Sequence, residues 1–195
     1  AADYRLLAGS AVLSFVWMVT RAKVWQTLLR DKPKYVDVLF AASEGYLLNS
    51  FLPFRLGEIG RAFLLSRKSG MAFSEILPTI VIERVVDLVF SAAFLILGLT
   101  YVSDTQGSEK IGYIIGGIML FGIVMMYVLA RNRQWALDIF HKFSKRWPAI
   151  QKFGGSFLES FLDGLGVLTD GWLFLRFMFW MTLDWFVALV AYYFM

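Results

Sequence analysis

Between Glu44 and Asp87 the chain sets Asn49, Arg55, Glu58, Arg61, Glu83, Arg84 and Asp87, together with Pro53 and Gly57, in or beside segments apolar enough for a lipid bilayer. A charge at bilayer depth costs about 2.5–3.5 kcal/mol on insertion scales, so such groups face a partner, a polar cavity or a ligand. Arg55 and Arg61 follow Pro53 and stand six residues apart, and the planar guanidinium fork suits the oxygens of a phosphate. Glu58, three residues from each, can brace either guanidinium or meet a cationic headgroup. Further on, Glu83 and Asp87 share a helical face, and Arg84 can pair with Asp87 at i,i+3. That pair leaves one acid needing a proton, a cation or an arginine from another helix. Two further carboxylates rank second: Glu44, inside the apolar stretch 35–54, and Asp184, near the middle of the last apolar run. The plainer alternative is that these charges only brace one another in an internal ion-pair network.

The elements that must position these residues follow from composition. Of 195 residues, 58% are hydrophobic and 17% charged, against about a quarter charged in a soluble domain. With a mean hydropathy of +0.63 and several uninterrupted apolar runs, the chain reads as an integral membrane protein. Cysteine is absent and His141 is the only histidine, so neither a disulfide framework nor a Cys/His metal centre is expected. No cofactor motif is present. The net charge of +4 is modest, and its placement marks sides of a membrane rather than a nucleic-acid surface.

An all-α bundle with about four spans is expected, at Leu6–Leu29, Ser74–Thr100, Ile111–Ala130 and Gly171–Met195. Lysine and arginine cluster in 21–34, 55–70 and 131–170, which places these three segments on the cytoplasmic side, and the short loop 103–110 outside. Residues 35–54 must then enter and return as a re-entrant hairpin, broken near Glu44-Gly45 and Asn49-Ser50; the rival reading is a plain span. Such backbone is tolerated at membrane depth only when buried in protein or lining a wet cavity. Arg21, Lys23 and Trp25 read as interfacial anchors, with a role in the site as the alternative. Segment 132–170, with Trp135, Ile139, Phe140, Phe143 and Trp147 among Arg133, Lys142, Lys145 and Arg146, reads as amphipathic helices lying in the headgroup plane. The start lacks an initiator Met and a basic n-region, and the end stops within an apolar run; both read as cuts in a longer polypeptide.

The run N-S-F-L-P-F-R-L-G-E-I-G-R (Asn49–Arg61), followed after a spacer by T-I-V-I-E-R-V-V-D (Thr79–Asp87), resembles the lysylphosphatidylglycerol synthase transmembrane, or flippase-like, family. The resemblance implies that 1–195 is a single polytopic domain of the prokaryotic cytoplasmic (inner) membrane that moves a lipid headgroup between leaflets. It implies lipid partners: an anionic or aminoacylated phospholipid, as in the resistance-factor members, or a polyprenyl phosphate lipid. It also admits a homo-oligomer, or a partner synthase or glycosyltransferase. The positions it carries over are Asn49, Pro53, Arg55, Gly57, Glu58, Arg61, Glu83, Arg84 and Asp87. The 195 residues hold no soluble aminoacyltransferase domain, so transport without lipid synthesis is the expectation. Two other function classes stay open: a membrane-embedded lipid-modifying enzyme using Glu83 or Asp87 as general base, and a scaffold whose 132–170 segment recruits partners.

Overall fold

Three of the four prolines punctuate the chain where helices start or the backbone turns, and only Pro78 stands inside a helix. The computed structural model describes residues 4–101, 108–144 and 148–193, and its long elements there are all α-helices. These are α1 (Tyr4–Leu28), α2 (Tyr35–Phe51), α3 (Gly57–Ser69), α4 (Phe73–Tyr101), α5 (Ser108–Arg131), α6 (Arg133–Ser144), α7 (Pro148–Leu165) and α8 (Gly171–Tyr193). Short 3-10 turns occupy Pro53–Arg55 and Gly166–Leu168. No strand occurs among the described residues, as the sequence leads one to expect.

Two cores share α1 and α4 as common walls. On one side Ala22 and Trp25 of α1, Leu29 just past it, and Ile76 and Ile80 of α4 close over Val38, Ala41 and Ala42 of α2 and Ala62 and Leu65 of α3. On the other, Val24, Leu28, Ile82 and Val86 pack with Leu162 and Leu165 of α7 and Leu173, Phe177 and Met181 of α8. Thus α8 runs along α1, α3 folds back along α2, and α5 and α7 lie against α4. The charged stretch on α4 is thereby held between α1, α8 and the α2–α3 pair.

Two described helices, Leu6–Leu28 and Gly171–Tyr193, are long and apolar enough to cross a membrane. The other two expected spans correspond to α4, which carries Glu75, Glu83, Arg84 and Asp87, and to α5. The expected break near Glu44-Gly45 and Asn49-Ser50 is corrected: α2 runs unbroken from Tyr35 to Phe51, and the turn falls later, at Leu52–Leu56. Gly45 does not interrupt the helix; it thins it where α3 crosses. The basic segments are likewise mostly helical. Arg21 and Lys23 lie within α1 and most of 55–70 within α3, so in these two segments the connection between α1 and α2, residues 29–34, is the main loop.

In the amphipathic region α7 is docked on the bundle through Leu162 and Leu165, while α6 turns Trp135, Ile139 and Phe143 outward. The loop residues 103–107, and Lys145, Arg146 and Trp147, lie outside the described residues.

Candidate functional site

Small residues make the site possible. A Cβ on Gly45 would stand 2.6 Å from the Arg61 Cβ and 3.0 Å from the Gly57 carbonyl oxygen. One on Gly57 would run into the Gly45 carbonyl and Asn49, and one on Gly60 would sit 2.8 Å from Leu48. With these Cβ atoms absent, α2 and α3 close to backbone contact as an antiparallel pair. Their connection is tight: Leu52 is extended, Pro53 starts a 3-10 turn, and Phe54 and Arg55 are both left-handed (φ 57° and 54°). A left-handed conformation costs a non-glycine residue about 1–2 kcal/mol. Non-glycine residues in such a conformation concentrate at functional sites. The pair turns the chain back while leaving Phe54 94% exposed and Arg55 on the surface.

At the level of this hairpin, α1, α3, α4 and α8 bring their charges together. Glu83 is wholly buried and is met by three guanidiniums: Arg21 Nε at 2.9 Å, Arg61 Nη2 at 3.0 Å and Arg84 Nη2 at 2.8 Å. Arg21 also pairs with Asp87 and, at 3.0 Å, with Asp184 Oδ2. Arg84 reaches Asp87 at 3.1 Å and Glu58 at 3.4 Å, and Glu58 holds Arg61 at 2.8 Å. Three guanidiniums thus face four carboxylates, the arrangement that makes buried charge tolerable. Neutral groups finish it. Tyr46 Oη accepts from Arg21 and Arg84, the Thr20 hydroxyl lies 2.8 Å from Asp184, and the Arg61 guanidinium sits 4.6 Å over the Trp25 ring. The Trp25 indole N–H donates to Thr79 Oγ1 at 3.0 Å.

One side of this network opens onto a cavity of about 1050 Å³. Arg21, Arg84, Asp87 and Asp184 lie on its polar side, Trp17, Tyr46, Trp185 and Tyr192 on its aromatic walls, and Phe54, Arg55 and Glu58 along the hairpin. Volume and mixed lining fit a charged headgroup with apolar attachments. Arg55 makes no ion pair with any described residue, so its donors are available to an anion in the cavity. Glu83 lies behind the wall, with Oε1 beside Arg21 and Arg84 and Oε2 beside Arg61, and does not line the cavity.

The structure therefore brings together Arg55, Glu58, Arg61, Glu83, Arg84 and Asp87, with Pro53 and Gly57 shaping the turn. Asn49 belongs to the α2–α3 contact beside Gly57 and does not line the cavity. Glu44 points elsewhere, to Lys68 at 3.3 Å. Asp184 is promoted from the second rank to a member of the network. The expectation for Arg21 and Trp25 is corrected: both are buried at the centre rather than anchored at an interface. Arg21 and Arg61 are the arginines from other helices that the acids of α4 require. A signal for Arg21 exists in the sequence, because the apolar run before it is too short to cross by itself and the helix must continue beyond it. Tyr46 carries no such mark.

A family model described as the lysylphosphatidylglycerol synthase TM region matches residues 1–195. No curated protein and no solved structure matches the chain.

Proposed function

Because the chain belongs to the lysylphosphatidylglycerol synthase TM region family, we propose that this integral membrane protein translocates a charged lipid, passing its headgroup through the cavity between α1, α4, α8 and the α2–α3 hairpin. The observation that carries this reading is the cavity itself, where an unpaired arginine and a braced set of carboxylates share one partly apolar wall. Arg55 holds a phosphate oxygen of the headgroup. Asp87, Asp184 and Glu58 face any cationic part, and the acyl chains stay in lipid. Cargo of this description includes an aminoacyl-phosphatidylglycerol and a polyprenyl-phosphate-linked lipid.

The α2–α3 pair is read as the re-entrant element. At 1.5 Å per residue, α2 is about 25 Å long and α3 about 20 Å, both short of a hydrocarbon core of about 30 Å. Phe51, Leu52, Phe54 and Leu56 at the turn are exposed and apolar, which suits contact with lipid chains. Phe54 and Arg55 of the turn line the cavity, the setting in which irregular backbone is tolerated at membrane depth. In this arrangement the ends of the hairpin, near Lys32–Lys34 and Arg67–Lys68, lie on the basic cytoplasmic side, together with α6 and α7.

The test is translocation of a headgroup-labelled phospholipid in proteoliposomes. Arg55 is exposed and unpaired among the described residues, so Arg55→Ala leaves the fold intact and lowers the rate about tenfold or more, the effect of losing a charge-assisted hydrogen bond. Unchanged translocation in both Arg55→Ala and Asp87→Asn proteins would overturn the reading.

A further inference from the structure

Tyr46, on α2, is an aromatic group of the cavity wall that no motif marks. Its hydroxyl oxygen accepts from Arg21 Nε at 3.2 Å and from Arg84 Nη2 at 3.5 Å. A phenol oxygen has two acceptor lone pairs and one O–H. With both lone pairs turned toward guanidiniums, the O–H must point elsewhere, and it donates to no described residue. The ring is fixed against Trp17, with centroids 5.3 Å apart and planes at 55°, so the hydroxyl cannot swing away without losing both arginines and that packing.

We propose that the Tyr46 O–H is a headgroup-binding donor, directed at a phosphate oxygen of the lipid in the cavity; the assignment rests on the transport reading above. The electrostatics select the ligand. Two guanidiniums donating into one phenol oxygen polarise its O–H and make it a stronger donor. A group placed there must accept a hydrogen bond, which an ammonium cannot do and an anionic phosphodiester oxygen does. Arg55, with no ion-pair partner among the described residues, lines the same cavity. The carboxylates Glu58, Asp87 and Asp184 are each held by an arginine of the network, so they do not displace it. Tyr46 thereby couples cargo to scaffold. The residue that touches the phosphate also holds Arg21 and Arg84 at the correct distance from Glu83 and Asp87.

The test is equilibrium binding to the full chain in nanodiscs of uncharged lipid, with phosphatidylglycerol, diacylglycerol, inorganic phosphate and glycerol 3-phosphate as titrants. Tyr46→Phe keeps the ring on Trp17 and removes only the hydroxyl. The expected result is about a tenfold to hundredfold weaker phosphatidylglycerol affinity, with diacylglycerol binding unchanged and the two soluble phosphates far weaker than the lipid in the wild-type protein. Equal phosphatidylglycerol affinity in Tyr46→Phe overturns the proposal. Soluble phosphate binding as tightly as the lipid and equally dependent on Tyr46 assigns the donor to a free anion and overturns the lipid assignment.

A second measurement needs no variant to fold. Phosphatidylglycerol should red-shift the near-ultraviolet tyrosine absorption of the wild-type protein while diacylglycerol does not, and a spectrum indifferent to phosphatidylglycerol again overturns the proposal. Because binding is read without transport, absent translocation with Tyr46-dependent binding counts against the transport reading alone. Intact translocation with Tyr46-independent binding counts against this proposal alone.

Discussion

Replacing Arg21 by methionine is the sharpest perturbation of the scaffold, because this one side chain ties together three carboxylates on two other helices. The consequences are unequal. Glu83 keeps Arg61 and Arg84, and Asp87 keeps Arg84. Asp184 keeps only the Thr20 hydroxyl, with a side chain 2% exposed. Stranding a buried charge in this way costs about 3–5 kcal/mol, and at about 2–4 °C per kcal/mol for a chain of this size that is a fall in melting temperature of about 6–20 °C. Asp184→Asn leaves Arg21 with two carboxylates and the Tyr46 hydroxyl and costs about 1 kcal/mol. Joined to Arg21→Met, it removes the stranded charge, so the double variant recovers about 0.5–3 kcal/mol relative to additivity. Thermal unfolding of the purified protein, followed by intrinsic fluorescence in one detergent for all four proteins, measures the cycle. An Arg21→Met protein melting within about 2 °C of wild type would be the behaviour of an interfacial anchor. That outcome, or strict additivity in the cycle, would refute the reasoning.

Three further outcomes follow from the packing and the ion pairs. Gly57→Ala places a methyl group against the Gly45 backbone and Asn49 and is expected to destabilise by about 1–3 kcal/mol through overpacking. Gly9→Ala meets open space and is neutral or slightly stabilising in the same melting assay. Glu44→Gln loses a half-exposed pair with Lys68, worth about 0.2–1 kcal/mol. It should leave both melting temperature and lipid translocation near wild type, which separates Glu44 from the network residues.

Much of this architecture is legible in the residues, and the gaps have physical causes. Arg55–Arg61 and Glu83–Asp87 announce themselves because each is a local run of charge in apolar sequence, and local spacing already pairs Arg84 with Asp87. Asp184 is visible as a lone charge in an apolar run, but which helix it faces is not, because that depends on the α1–α8 packing. Arg21 misleads because flanking Lys23 and Trp25 give it the look of a membrane-surface residue, whereas its partners come from residues 66 and 163 positions away. Gly45 misleads in the other direction. Beside Glu44 it reads as a helix break, yet within lipid a glycine serves close packing just as well, and only the crossing of α3 decides between the two. Tyr46 is silent in sequence, since nothing local tells a phenol that it stands between two guanidiniums.

The absence of cysteine permits a direct test of the route. Val81 lines the cavity, and Leu175 is 62% exposed and lies outside it. With single cysteines at Val81 and at Leu175, each labelled with a bulky, charged methanethiosulfonate before reconstitution, translocation of a headgroup-labelled phospholipid is the measurement. Headgroup passage through the cavity predicts that labelling at Val81→Cys blocks transport while equal labelling at Leu175→Cys leaves it intact. Transport undiminished with Val81→Cys fully modified would contradict it.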